Sequence, residues 1–256
     1  MNTESRVVDV DVATPAGHCD AVLAHVPGRG ELPAVILFPD AYGLRPAIRD
    51  MAKRLAAQGY AVLVPNPFYR IGKSPADGMV FDFQNPADRT RLAELRAPLT
   101  HEAMARDVAA FVAFLDAQPF VRRNGKVGVV GYCMGGLLAM QAAAGVADRI
   151  GAGASFHGGG LATDAPNSPH RLVPKMRAPF YIGIAANDDE REPEAKSVLA
   201  DAFAAAHLAA TIVVYEGTLH GWCMPDLSER TGRPIYNEPQ AERAWGALLA
   251  FFQRAL

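Results

Sequence analysis

Cys133, Asp188 and His220 have the types and the chain order that an acyl-transfer centre needs: a nucleophile, an orienting acid and a base. Cys133 stands in Gly131-Tyr132-Cys133-Met134-Gly135, after the strand-like run Lys126–Val130 and before a small-residue helix expected to begin near Gly136. This is the G-x-nucleophile-x-G pattern of a nucleophile elbow, with cysteine in place of the usual serine. A side chain at either flanking glycine would crowd the sharp turn that lifts the nucleophile above a sheet. At a helix start the thiol also faces unpaired N–H groups and the positive end of the helix dipole, and both favour the thiolate. A solitary cysteine after a strand is ordinarily a small buried hydrophobe. The glycine frame and the order of the three residues argue against that reading here.

The acid and the base are each expected just beyond the carboxyl end of a strand, where functional groups gather in open α/β sheets. Strand Phe180–Ala185 runs into Ala186-Asn187-Asp188-Asp189-Glu190, and strand Thr211–Tyr215 into Glu216-Gly217-Thr218-Leu219-His220-Gly221-Trp222. Asp188 is preferred as the acid because it comes first after its strand, while Asp189 and Glu190 read as charges at a helix N-terminus. His18, His25, His101 and His207 read as surface residues outside the site, and His170 as a loop residue near its mouth. His157, in Phe156-His157-Gly158, also follows a strand; it is expected to line the pocket, with the role of base as the alternative.

A second loop, Phe38-Pro39-Asp40-Ala41-Tyr42-Gly43, follows the first central strand and supplies the backbone for an oxyanion hole. The hole is assigned to the amides of Ala41 and Met134. Asp40 is either a turn residue or a pocket carboxylate that tunes the thiol, and Tyr42 is expected beside it against substrate. Gly72-Lys73-Ser74 resembles the end of a phosphate loop, but that motif requires glycine where Pro67 stands. No metal-ligand spacing is present, and neither a metal nor a cofactor is expected.

The elements that must position these groups alternate along the chain. Val7–Val12 and Cys19–His25 read as antiparallel strands around a turn at Pro15-Ala-Gly17. Ala34–Phe38 is a continuous apolar run, as in a central parallel strand. A helix with Ile48, Met51, Ala52 and Leu55 on one face ends at Gly59, and strand Ala61–Val64 follows. An irregular section reaches to about Thr100 with a short helix near Asp88–Leu95. Helix Thr100–Ala117, strand Gly151–Phe156, a loop over Gly158–Ala178, helix Glu192–Ala206 and helix Ala241–Leu256 complete the pattern. Such alternation implies an α/β fold with a doubly wound, mostly parallel sheet and helices on both faces.

The chain has 256 residues, half of them hydrophobic, enough to bury a large core as a single domain over 1–256. Its 25 basic and 27 acidic side chains are nearly balanced and form no long block, which argues against nucleic-acid binding and against a polybasic membrane association. Residues 1–10 lack the apolar segment of a secretory leader, and three cysteines without paired spacing suit a reduced, cytoplasmic compartment.

The elbow Gly131-Tyr132-Cys133-Met134-Gly135-Gly136, the Asn187-Asp188 loop and Tyr215-Glu-Gly-Thr-Leu-His220-Gly-Trp222 resemble the dienelactone hydrolase family. Asn124-Gly125-Lys126-Val127-Gly128 and Gln58-Gly59-Tyr60-Ala61-Val62-Leu63-Val64-Pro65 extend the resemblance over nearly the whole chain. It implies an α/β-hydrolase fold, a Cys-Asp-His triad and hydrolysis of a small-molecule ester or lactone without a cofactor. The family holds its resting thiol near a glutamate, and Asp40 matches that position with a side chain shorter by a methylene. Dienelactone-opening members grip the substrate carboxylate with two arginines. Arg89 or Arg91 matches the first, whereas Met224 stands at the second, so a pocket with Trp222 and Met224 points to a less charged ester. The competing readings are a broad carboxylesterase or thioesterase, and a non-catalytic small-molecule binding or redox-sensing protein.

Overall fold

The structure, a computed structural model, describes residues 4–256; the first three positions of the expected domain and of the segment 1–10 lie outside the described residues. Eight strands form one sheet: β1 (Arg6–Thr14), β2 (Gly17–His25), β3 (Ala34–Phe38), β4 (Ala61–Pro65), β5 (Val127–Tyr132), β6 (Ile150–Phe156), β7 (Phe180–Ala185) and β8 (Ala210–Tyr215). Their order is β1-β2-β4-β3-β5-β6-β7-β8. The β1–β2 and β2–β4 pairs are antiparallel and the rest are parallel.

Every residue of β3, β4 and β5 is buried, which is why these strands are unbroken apolar runs. The edge strand β1 instead alternates between apolar and polar positions. The helices are α1 (Pro46–Ala57), α2 (Pro86–Arg96), α3 (His101–Asp116), α4 (Met134–Gly145), α5 (Ala186–Arg191), α6 (Ala195–Ala205), α7 (Leu227–Thr231) and α8 (Glu238–Ala255). Helix α4 packs on β3, β5 and β6 and is covered by α3, α1 lies against β2 and β4, and α8 against β6 and β7. Helices thus cover both faces of a mostly parallel sheet, the expected α/β architecture.

The chain moves from β3 outward to β4 and then returns to the other side of β3 as β5. That reversal opens a crevice at the carboxyl ends of β3 and β5, where Phe38 pairs with Gly131. The Asp40 loop and the elbow therefore emerge side by side.

Four segments differ from expectation. The helix expected near Asp88–Leu95 is longer, because Asn85 caps it through the Ala87 N–H and Pro86 occupies its first position. The helix expected over Glu192–Ala206 is α6 and begins only at Ala195, since Pro193 cannot donate and Glu192 before it is held at φ −129°, ψ 60°, while the Asp188 loop ahead of it forms the short α5. The loop over Gly158–Ala178 contains a 3₁₀ helix at Pro169–Lys175, and α7 was not foreseen. Among the described residues no helix is long and apolar enough to cross a membrane.

Candidate active site

Cys133 sits between β5 and α4 with φ 55°, ψ −121°, a strained conformation that a non-glycine residue adopts only when its surroundings enforce it. The two flanking glycines are required sterically. A side chain on Gly131 would overlap the Gly135 carbonyl, and one on Gly135 would collide with the Phe38 and Pro39 carbonyls. Helix α4 can thus begin at Met134, directly against the loop that follows β3.

The apex is also held through its own amide. The Cys133 N–H donates to the Phe156 carbonyl at 3.1 Å and to His157 Nδ1 at 3.1 Å. That amide is therefore occupied, and the next one, of Met134, is the first free to face a ligand. Among the described residues neither the Met134 nor the Ala41 N–H donates to a carbonyl outside the regular elements, and both residues line the same cleft as Cys133 and His220.

Asp188 falls in the first turn of α5 and is buried, while His220 lies on the turn after β8. His220 Nδ1 is 2.7 Å from Asp188 Oδ2. Asn187 aligns the two segments, its Oδ1 accepting the His220 N–H at 2.7 Å. Arg191 occupies the other Asp188 oxygen at 2.9 Å. Asp189 turns away to Lys196. Burial alone would lower the His220 pKa, but the Cys133 sulfur and the Asp188 carboxylate together raise it to about 10. The three residues thus meet as a thiol, an imidazole and a carboxylate in sequence, arranged to hold an imidazolium beside sulfur.

A cleft of about 1110 Å³ opens over the elbow, with Leu137 and Leu138 of α4 on its floor. Residues 19–256 match the profile of the dienelactone hydrolase family. The chain belongs to that family. A carboxymethylenebutenolidase of Pseudomonas sp. (strain P51) is 31% identical over 205 residues, which cover 80% of this chain and 79% of that protein. Among solved structures, a dienelactone hydrolase-like promiscuous phosphotriesterase from metagenomic libraries has a TM-score of 0.78 at 23% identity, over 98% of this chain and 99% of that one. An acylaminoacyl peptidase of Pyrococcus horikoshii has a TM-score of 0.70 at 15% identity over 99% of this chain and 42% of its own. The fold is that of an α/β-hydrolase, and this family member is a hydrolase.

The remaining residues anticipated for substrate lie apart from the cleft wall. Both Asp40 oxygens are engaged by Arg45, at 2.7 and 2.9 Å, and one also accepts the Tyr42 N–H. Tyr42 lies beneath Phe83, which does reach the cleft, and its hydroxyl pKa is pushed up to about 12 by burial and by Asp40. Trp222 and Met224 are fully buried in the core. His157 is fully buried too, edge-on to His220 with ring centres 5.2 Å apart. Burial and His220 push its pKa well below the ordinary value, so it is a neutral acceptor for Cys133 and not a base facing substrate.

Arg89 donates to the Phe83 and Gln84 carbonyls and Arg91 to that of Val80, so both brace the segment before α2. The cations on the cleft wall are Arg96, Lys175 and Arg191. His101, expected outside the site, lines the cleft from the first turn of α3, whereas His170 bonds Ser168 beside it. Arg45 and Arg191 were not singled out in the sequence, and Asn187 entered only as part of a family motif, because the contacts of Arg45 with Asp226 and of Asn187 with His220 are set by packing. Among the described residues no cluster of His, Cys, Asp or Glu is placed to hold a metal.

The raised pKa of His220 gives a direct spectroscopic expectation. In wild type the imidazole stays protonated through neutral pH and titrates near 10. In Cys133→Ala the sulfur's contribution is lost, so the midpoint moves down, as an imidazole NMR titration will show. An unchanged midpoint would break the link between the two side chains.

Proposed function

We propose that this hydrolase cleaves ester or lactone bonds through a Cys133-Asp188-His220 triad and a thioester intermediate. The observation that carries the reading is the Asp188–His220 contact of 2.7 Å next to a cysteine held at the strained apex of an elbow. The family membership and the carboxymethylenebutenolidase relatives support the same bond class.

The Cys133 thiolate attacks the carbonyl carbon, forming a C–S bond while the carbonyl electrons move to oxygen. The Ala41 and Met134 amides face that oxyanion from the two loops at the crevice. Collapse breaks the C–O bond, and the departing alkoxide takes the proton of the His220 imidazolium; in a lactone it remains tethered as the ring opens. His220, oriented by Asp188, then removes a proton from water, which attacks the thioester. The second collapse returns the thiolate and releases the acid. The hydrolysis consumes water and needs no redox partner.

The test is steady-state turnover of dienelactone and of an aryl acetate, with mass measurement of the protein during reaction. An acyl adduct on Cys133 in wild type, and turnover reduced at least about 10⁴-fold in Cys133→Ala, are expected. Equal turnover in the variant would overturn the assignment. Dienelactone is expected to be the poorer substrate, since Met224 is buried and Arg89 and Arg91 are tied to backbone carbonyls away from the cleft.

A further inference from the structure

We propose that the far end of the cleft is a recognition subsite for a neutral hydrogen-bond donor on the substrate, a hydroxyl or an amide N–H, and that Gln141 reads it. The proposal rests on the ester-hydrolase reading above and adds a substrate class to it. Met134, Leu137, Leu138 and Gln141 fall on one face of α4 and all line the cleft. That face is a floor leading away from the nucleophile, and at 1.5 Å per residue the step from Cys133 to Gln141 spans roughly 12 Å. Its near part is apolar, with Leu99 and Leu172 adding to the wall.

The floor ends in a polar group that the protein leaves incomplete. Gln141 is only 6% exposed. Its Nε2 donates to the Leu99 carbonyl at 3.2 Å, which fixes the orientation of the amide. Its Oε1 is buried and meets no donor of the protein. A buried acceptor without a partner is costly, and a ligand that supplies a donor recovers that cost, whereas an alkyl chain deepens it. The donor is neutral, because Arg96 and Lys175 line the same cleft and disfavour a second cation in it. After burial, Lys175 is the next largest influence on His101, lowering its pKa and outweighing Glu102. An ammonium group would meet the same field. The favoured substrate is therefore an ester with an apolar body and a distal hydroxyl or amide.

The test compares p-nitrophenyl ω-hydroxyoctanoate with p-nitrophenyl nonanoate, in which a methyl replaces the hydroxyl. Wild type is expected to favour the hydroxy ester by roughly tenfold or more in kcat/KM. In Gln141→Leu and Gln141→Met the ratio falls to about unity or inverts, because the acceptor is gone. Equal kcat/KM in wild type, or a preference that survives both substitutions, would overturn the proposal. p-Nitrophenyl acetate, too short to reach Gln141, separates the two readings. If wild type turns over none of the three esters, the hydrolase reading fails. Calorimetric binding of the two product acids then tests the subsite alone: tighter binding of the hydroxy acid, lost in Gln141→Leu, supports it, and equal affinities sink it.

Discussion

Exchange of Asp188 for Asn is expected to lower kcat on an aryl acetate by about 10⁴-fold with little change in KM. The carboxylate Oδ2 accepts from His220 Nδ1 at 2.7 Å, which leaves Nε2 to exchange protons with sulfur and water. An asparagine fills the same space, but its amide nitrogen donates where the carboxylate accepted, and the imidazole turns to the wrong tautomer. Asp188 also contributes to the raised pKa of His220, so the variant loses part of the charge that stabilises the imidazolium. A structural role alone would lower the melting temperature and leave the pH profile in place. The two outcomes are separated by kcat against pH together with thermal denaturation. A fall in kcat of less than about tenfold would exclude Asp188 as the orienting acid.

Arg45→Met is the substitution with the largest expected effect on stability, about 3–5 kcal/mol by chemical denaturation. The Arg45 side chain is completely buried between two carboxylates. It donates to Asp40 at 2.7 and 2.9 Å and to Asp226 at 2.6 and 3.0 Å, and Arg230 adds a further bond to Asp226. Methionine matches the bulk of the chain stem and removes every donor, so Asp40 keeps only the Tyr42 N–H. The double variant Arg45→Met, Asp40→Leu is expected to recover a large part of the loss, because no uncompensated charge then remains at Asp40.

The same network gives a pH dependence of known sign. Burial would raise the Asp226 pKa, but hydrogen bonds from Arg45 and Arg230 bring it below the ordinary value. A folded-state pKa below the unfolded one contributes stability above the unfolded value, which is lost as pH falls through the folded value. Wild type should therefore lose more stability on acidification than Arg45→Met, and denaturation at neutral and acid pH will read that difference. Because the network ties the Ala41 loop to the chain after Met224, Arg45→Met is also expected to impair turnover in the protein that remains folded.

The elements most legible in the sequence were those whose signal is local. The continuous apolar run Ala34–Phe38 reads as a central parallel strand buried on both faces, and β3 occupies those residues. The spacing of Ile48, Met51, Ala52 and Leu55 marked the buried stripe of α1. Gly131 and Gly135 announced the elbow as a pattern, and the clash at Gly131, against Gly135 and Gly136, is local, whereas the one at Gly135, against Phe38 and Pro39, arises only when the β3 loop packs on the turn. The late start of α6 was also local in origin, since Pro193 holds Glu192 out of the helical conformation and the helix expected from Glu192 begins at Ala195.

Tertiary structure alone decided which side chains face the cleft. Arg89 and Arg91 fold back on backbone carbonyls, while Arg96, a turn further along, reaches the wall. His157 follows its strand as a pocket residue would, but φ 42° turns it inward to the Cys133 amide. Arg45 and Asp226, 181 positions apart, meet only because the β3 loop and the chain after His220 converge at one end of the sheet. The types and order of Cys133, Asp188 and His220, the elbow pattern and the α/β alternation were determined by the sequence by itself, because each is a pattern of residue types and spacings along the chain. The pairing of Arg45 with Asp226, the burial of Trp222 and Met224, and the buried, unpartnered acceptor of Gln141 were decided by packing between distant segments, where no short-range pattern carries the information.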